Sequence, residues 1–242
     1  GTSEKSDPYI SAYVFFGLQQ ARAAGAVISD EALSSAVTYL QSAQPVIDAN
    51  TQGAVLDDVA FIQFALSNAG LADANIAGRL WDERNRLSPA GRAWVAYVFN
   101  KLNPADQRAR ELISNLETSA VVTSSSAHWE TQSENIFTRG STIYTTSAVV
   151  YVLAQVDPAN QILLTAVRYL AAHRSASGLW NLGHDNAWAI MALNAAMVGI
   201  GDLRADFAFN AALNGAPLTS GDIAGTQLTP LKTFVPLANL TA

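Results

Sequence analysis

Half of the 242 residues are hydrophobic and 14% are charged, a composition that fills a sizeable core and speaks against a disordered chain. With 20 acidic against 14 basic side chains the net charge is −6, which speaks against nucleic acid as a partner and against a polybasic membrane surface. Cysteine is absent, and His128, His173 and His184 are the only histidines. Thiolate nucleophiles, disulfides and cysteine-ligated zinc are therefore excluded, and no cofactor or metal is expected.

The opening "GTSEKSDPYI" lacks the form of a signal peptide, and no apolar run approaches the roughly 18 residues of a membrane span. The chain is read as cytosolic or as a piece of something longer. Asp7-Pro8 pairs a capping side chain with a proline at the first helical position, ahead of a stripe of Ile10, Tyr13, Val14, Gly17, Leu18 and Ala21. Ser88-Pro89, Asn103-Pro104 and Asp157-Pro158 are read the same way. The last is followed by Leu163, Val167 and Leu170, with Ala166 alongside. Gly25, Gly70 and the Gly199/Gly201 pair stand where helices should stop. The pattern predicts roughly nine helices up to Leu203, most of about 12 to 17 residues, paired as stacked helical hairpins. The polar stretch "SSSAHWETQSENIFTRG" interrupts them as a rim loop or short hairpin. After Asp202, alternation from Phe207 with Asn214-Gly215 predicts a hairpin, and "LKTFVPLANL" is a further strand candidate. The division is residues 1–203, helical, and 204–242, a β segment opening a following β domain.

Candidate chemistry is sparse. His184, Asp185 and Asn186 sit at a helix mouth, with Trp188 one turn from His184, but no nucleophile elbow accompanies them, and they are read as packing. Asp57 and Asp58 in "VLDDVAF" point about 100° apart on a helix with no third carboxylate at a useful spacing, so they are read as helix-dipole carboxylates. His128 and Glu130 in "HWE" share one side of an extended segment, yet nothing places the second carboxylate a glycosidase needs. The five tryptophans are core anchors, and "WDERNR" is a solvated helix face with Asp82 and Arg86 four apart.

"DPYISAYVFFGLQQARAAG", "AHWE", "STIYTTSAVVYVLAQV", "AVRYLAAHR" and "GLWNLGHDNAWAIMAL" follow one another in an order that resembles the thioester domain of the alpha-2-macroglobulin and complement family. The matching positions are Tyr9, Ser11, Ala12, Tyr13 and Val14; then Trp129 and Glu130; then Thr146, Ser147 and Ala148; then Val167, Leu170 and Arg174. The tail "FNAALNGAPLTSG" resembles the start of the β domain of bacterial members. The resemblance implies a mainly α fold, an incomplete α/α toroid of helical hairpins with a short C-terminal β segment. It places the family's Cys-Gly-Glu-Gln motif upstream of Tyr9, and the acyl-transfer histidine, after Pro45, Val46 and Ile47, at Asp48.

What the resemblance implies is a non-catalytic part of a macroglobulin-like protease inhibitor, with no catalytic residue in this chain. Its partners would be proteases, through the whole protein, and neighbouring β-sandwich domains, in an extracellular or periplasmic setting. His128, Trp129 and Glu130 form the candidate interface. The alternative is a toroid enzyme, a terpenoid cyclase or polysaccharide-degrading enzyme, which an acidic cluster facing an aromatic-lined central cavity would favour.

Overall fold

The computed structural model describes residues 6–131, 140–180, 182–201, 205–225 and 233–235. It divides into two compact units, Gly1–Ala196 and Met197–Ala242. Among the described residues lie nine α-helices: α1 (Pro8–Ala23), α2 (Asp30–Ser42), α3 (Gly53–Ser67), α4 (Ala74–Asp82), α5 (Pro89–Leu102), α6 (Gln107–Ser119), α7 (Thr142–Val156), α8 (Gln161–Ala172) and α9 (Gly183–Ile200). None is long and apolar enough to cross a membrane.

In the first unit the helices alternate between an inner and an outer layer, the arrangement of an α/α toroid. α1 packs on α3, α3 on α5 and α5 on α7, while α2, α4, α6 and α8 lie outside their neighbours. Composition sorts the layers. α3 and α7 are apolar on nearly every side and mostly buried, whereas α2 buries only Leu40 and α4 only Ala77 and Leu80. α9 joins the inner layer through side chains. Its Trp188 stacks on Phe16 of α1 at 5.6 Å with the ring planes 3° apart. The same ring lies 5.0 Å from Trp94 of α5 and 5.8 Å from Tyr151 of α7. Phe61 and Phe64 of α3 complete this aromatic centre at 6.0 and 6.4 Å.

Two of the four capping dipeptides start helices. Asp7 accepts from the Ile10 amide at 2.8 Å and Ser88 from the Gly91 amide at 3.1 Å. The other two do not. Asn103 and Asp157 close α5 and α7, and α6 and α8 begin four residues later, capped by Asp106 and Asn160. Each of these prolines sits second in a four-residue turn, closed by Asp106 N–H to Asn103 C=O (2.9 Å) and Asn160 N–H to Asp157 C=O (3.0 Å). Proline's fixed φ suits that turn position as well as the first helical one. A second capping residue three positions on, in "NPAD" and "DPAN", separates the two cases.

The polar interruption contains a short antiparallel hairpin, β1 (Val121–Val122) with β2 (Ala127–His128); its residues 132–139 lie outside the described ones. In the second unit β3 (Ala205–Leu213) pairs antiparallel with β4 (Ala216–Gly225). The turn is Asn214-Gly215, both at positive φ (51° and 82°), the pair a two-residue hairpin loop requires. Of "LKTFVPLANL" only residues 233–235 are described, and they form no strand.

Trp188→Ala should cost about 3–5 kcal/mol, the usual range for emptying a fully buried aromatic site. Urea denaturation followed by circular dichroism measures it, and a loss under about 1 kcal/mol would mean that the aromatic centre does not hold α9 to the other helices.

Candidate functional site

The first turns of α1, α3, α5 and α7 converge on one mouth of the first unit, where they surround a cavity of about 200 Å³. Tyr9, Trp94 and Tyr144 supply aromatic wall, Asp57 and Asp58 the carboxylates, and Ala54, Ala90 and Gly91 leave the space open. Asp57 belongs to α3 but serves α5. Its Oδ1 accepts from the Ser88 amide at 3.0 Å, placing a negative charge at the positive end of the α5 dipole. Gly91 makes this approach possible, since a Cβ there would stand 2.0 Å from Asp57 Oδ1. Burial pushes the Asp57 carboxyl up to about 6, with Asp58 adding to the rise and the Ser88 hydrogen bonds and Arg92 opposing it. The buried Tyr144 hydroxyl is raised well above its ordinary value, first by burial and then by the neighbouring Tyr9. The sequence names Asp57 and Asp58, but not the rings around them, which come from three other helices.

His184, Asp185 and Asn186 serve the same end of the fold as packing and capping groups. His184 lies between Tyr13 (5.7 Å) and Tyr144 (4.6 Å). Asp185, buried, accepts from Ser141 Oγ at 2.6 Å, and that same oxygen caps α7 by accepting from the Tyr144 amide at 2.9 Å. Asn186 Oδ1 accepts from the Trp180 amide at 2.7 Å.

The three rim residues separate. Trp129 is fully buried: its indole N–H donates to the Leu116 carbonyl at 2.7 Å and its amide to Thr146 Oγ1 at 3.2 Å. It is a core residue, out of reach of a neighbouring domain. His128 and Glu130 point the other way, 3.8 Å apart, with side chains 16% and 70% exposed. His128 stacks on Tyr169 at 4.4 Å. Strand alternation carried this signal, because residues 127 and 129 must share the face opposite to 128 and 130.

Asp48 sits in an exposed loop, where its carboxylate accepts from Asn50 N–H (2.8 Å) and Thr51 Oγ1 (3.0 Å); the Asn50 amide, first of all, lowers its pKa. Arg86 donates to the carbonyls of Ala49 and Thr51 in that loop and pairs with Glu83 at 2.8 Å, so its ionic partner is Glu83 and not Asp82. Among the described residues no group of three or more metal-ligating side chains gathers.

An inner and outer layer of helices with a C-terminal hairpin is the fold of one segment of the bacterial alpha-2-macroglobulins. The chain is similar to Salmonella alpha-2-macroglobulin reacted with methylamine, with a TM-score of 0.62 and 19% identity over 93% of this chain and 14% of that one. Trypsin-activated alpha-2-macroglobulin from Escherichia coli gives a TM-score of 0.61 and 15% identity over 93% of this chain and 15% of that one. A shorter E. coli chain running from domain MG7 to the C-terminus gives 0.59 and 15% over 92% of this chain and 34% of that one. At these identities the likeness is one of fold, and this chain spans a small part of each macroglobulin. No family model and no curated protein matches the sequence.

Asp57 titrates with a folded value near 6, above its ordinary 3.8, so the folded chain binds the extra proton between the two. Stability should therefore fall as pH rises from about 4 to about 6 and flatten above, by about 1–2 kcal/mol, allowing for the part of Asp57 that water reaches. Asp57→Asn keeps an acceptor for Ser88 and should remove that slope. Urea midpoints measured at several pH values test it, and parallel curves for the two chains would refute the assignment.

Proposed function

We propose that this chain is the toroid segment of a protease-trapping, macroglobulin-like protein, working by binding and conformation and not by turnover. The carrying observation is the likeness of fold, which extends over 93% of this chain and only 14% of the macroglobulin it is compared with. Two of the similar structures are of macroglobulin activated by trypsin and by porcine elastase, and proteases are the partners this reading gives to the whole protein. In it, residues 204–242 open a following β domain, and the setting is extracellular or periplasmic. Asp48, in the position the resemblance gives to the acyl-transfer histidine, would leave that route without its base. The docking face for neighbouring β domains is the exposed side of the rim, Glu130 with the edge of His128.

A toroid enzyme would need an aromatic-lined central cavity. Here the centre is filled by Phe16, Phe61, Phe64, Trp94 and Trp188, all buried. The acidic cavity lies at the mouth and, at about 200 Å³, is smaller than the roughly 300–1,000 Å³ of most small-molecule sites. That supports the binding reading over the cyclase or glycosidase.

The parent protein should inhibit a serine protease such as trypsin acting on a large protein substrate, and Glu130→Lys should weaken that inhibition several-fold by reversing an exposed charge at the docking face. Inhibition assays against a protein substrate measure both. A parent protein that inhibits no protease would overturn the function, whereas inhibition unaffected by Glu130→Lys would remove only the rim from the docking face.

A further inference from the structure

The apolar stripe of α2 closes on its neighbours at one end only. Leu33, Val37 and Leu40 follow one another by a turn along one face of the helix. Leu40 is fully buried, whereas Leu33 and Val37 are only half-buried. At these two residues a cleft of about 420 Å³ opens between α2 and α1 and runs to the C-terminal end of α3. Phe15, Gln19 and Ala23 line it from α1, and Ala69 from just beyond α3. Its volume lies within the roughly 300–1,000 Å³ of most small-molecule sites, which that of the mouth cavity does not.

The polar groups of the lining define what a ligand must carry. Arg22, the one charged residue among them, pairs with Asp30 at 2.7 Å, so the cleft offers no net charge to an ion. The Ser34 hydroxyl donates to the Glu31 carbonyl at 3.0 Å. Asn68 uses both ends of its amide, donating to the Phe64 carbonyl at 2.9 Å and accepting from the Tyr97 hydroxyl at 3.0 Å. Gln19 differs: its side-chain carbonyl oxygen is out of water and has no hydrogen-bond partner. A buried acceptor left without a donor is costly, and a ligand that brings a donor removes that cost. We propose that this cleft binds a neutral, mainly apolar small molecule with one hydrogen-bond donor, an aromatic alcohol or an N–H heterocycle of one or two rings. Its donor meets Gln19 Oε1, and its apolar body covers Leu33 and Val37. The assignment does not depend on protease trapping, since it rests on the α1–α2 cleft alone.

Phenol and toluene have nearly the same shape and differ by the exchange of a hydroxyl for a methyl, so they serve as the probes. The full chain, with ¹³C-labelled leucine methyl groups, is titrated with each while the Leu33 signals are followed. Saturable shifts with phenol are expected, with a dissociation constant on the order of millimolar. Gln19→Met keeps the length of the side chain and removes the acceptor. It should lower the ratio of phenol to toluene affinity at least about fivefold, the share of the preference that the hydrogen bond carries. Val37→Trp should fill the cleft and abolish the shifts. Ala23→Trp, at an exposed position on the opposite wall, should do the same and serves where Val37→Trp fails to fold. No saturable shift with phenol, shifts that survive a tryptophan in the cleft of a folded chain, or an affinity ratio unchanged by Gln19→Met would overturn the proposal.

Discussion

The first unit depends on one ring. Trp188 touches aromatic side chains of α1, α3, α5 and α7 at once, from Trp94 at 5.0 Å to Phe64 at 6.4 Å. Offset and edge-to-face rings fill this centre with large buried area and fixed geometry. Alanines on the inner helices, among them Ala60, Ala65, Ala93, Ala96, Ala148 and Ala192, let the helices come close enough for those rings to meet. A filled axis has a functional consequence. No substrate can sit in the middle, so whatever the unit binds must meet it at the mouth, at the rim or on its outer surface.

The mouth also gathers like partial charges. Inner helices that begin at the same end bring their positive dipole ends together, which is unfavourable unless anions intervene. The sequence supplies one for three of the four: Asp7 caps α1, Asp57 of α3 reaches across to α5, and Asp185 bonds to Ser141, the cap of α7. The carboxylates that look catalytic in the sequence thus have an electrostatic duty in the fold. Only Asp57 combines that duty with a cavity.

Local signals were legible where one segment decides the outcome. The Asn214-Gly215 hairpin, the caps at Asp7 and Ser88 and the inward placement of Trp188 could all be read from short stretches. Asn103-Pro104 and Asp157-Pro158 misled because proline favours two neighbouring positions equally, and only the next capping residue tells them apart. Trp129 misled for another reason: polar neighbours were given more weight than strand alternation, and alternation won. The walls around Asp57 were not legible at all, since Tyr9, Trp94 and Tyr144 are distant in sequence and meet only through tertiary packing.

α9 carries the remaining contradiction between sequence and surroundings. Its residues are apolar nearly all round, as in helices buried on every side, yet Ile190 is 55% exposed. Ile10 and Val14 of α1, one of the two helices lying against His184, are exposed to the same degree. Being about half buried already, each of these side chains stands to gain about 1 kcal/mol from full burial. The same packing that draws α9 inward through Trp188 leaves Ile190, two residues on, half in water.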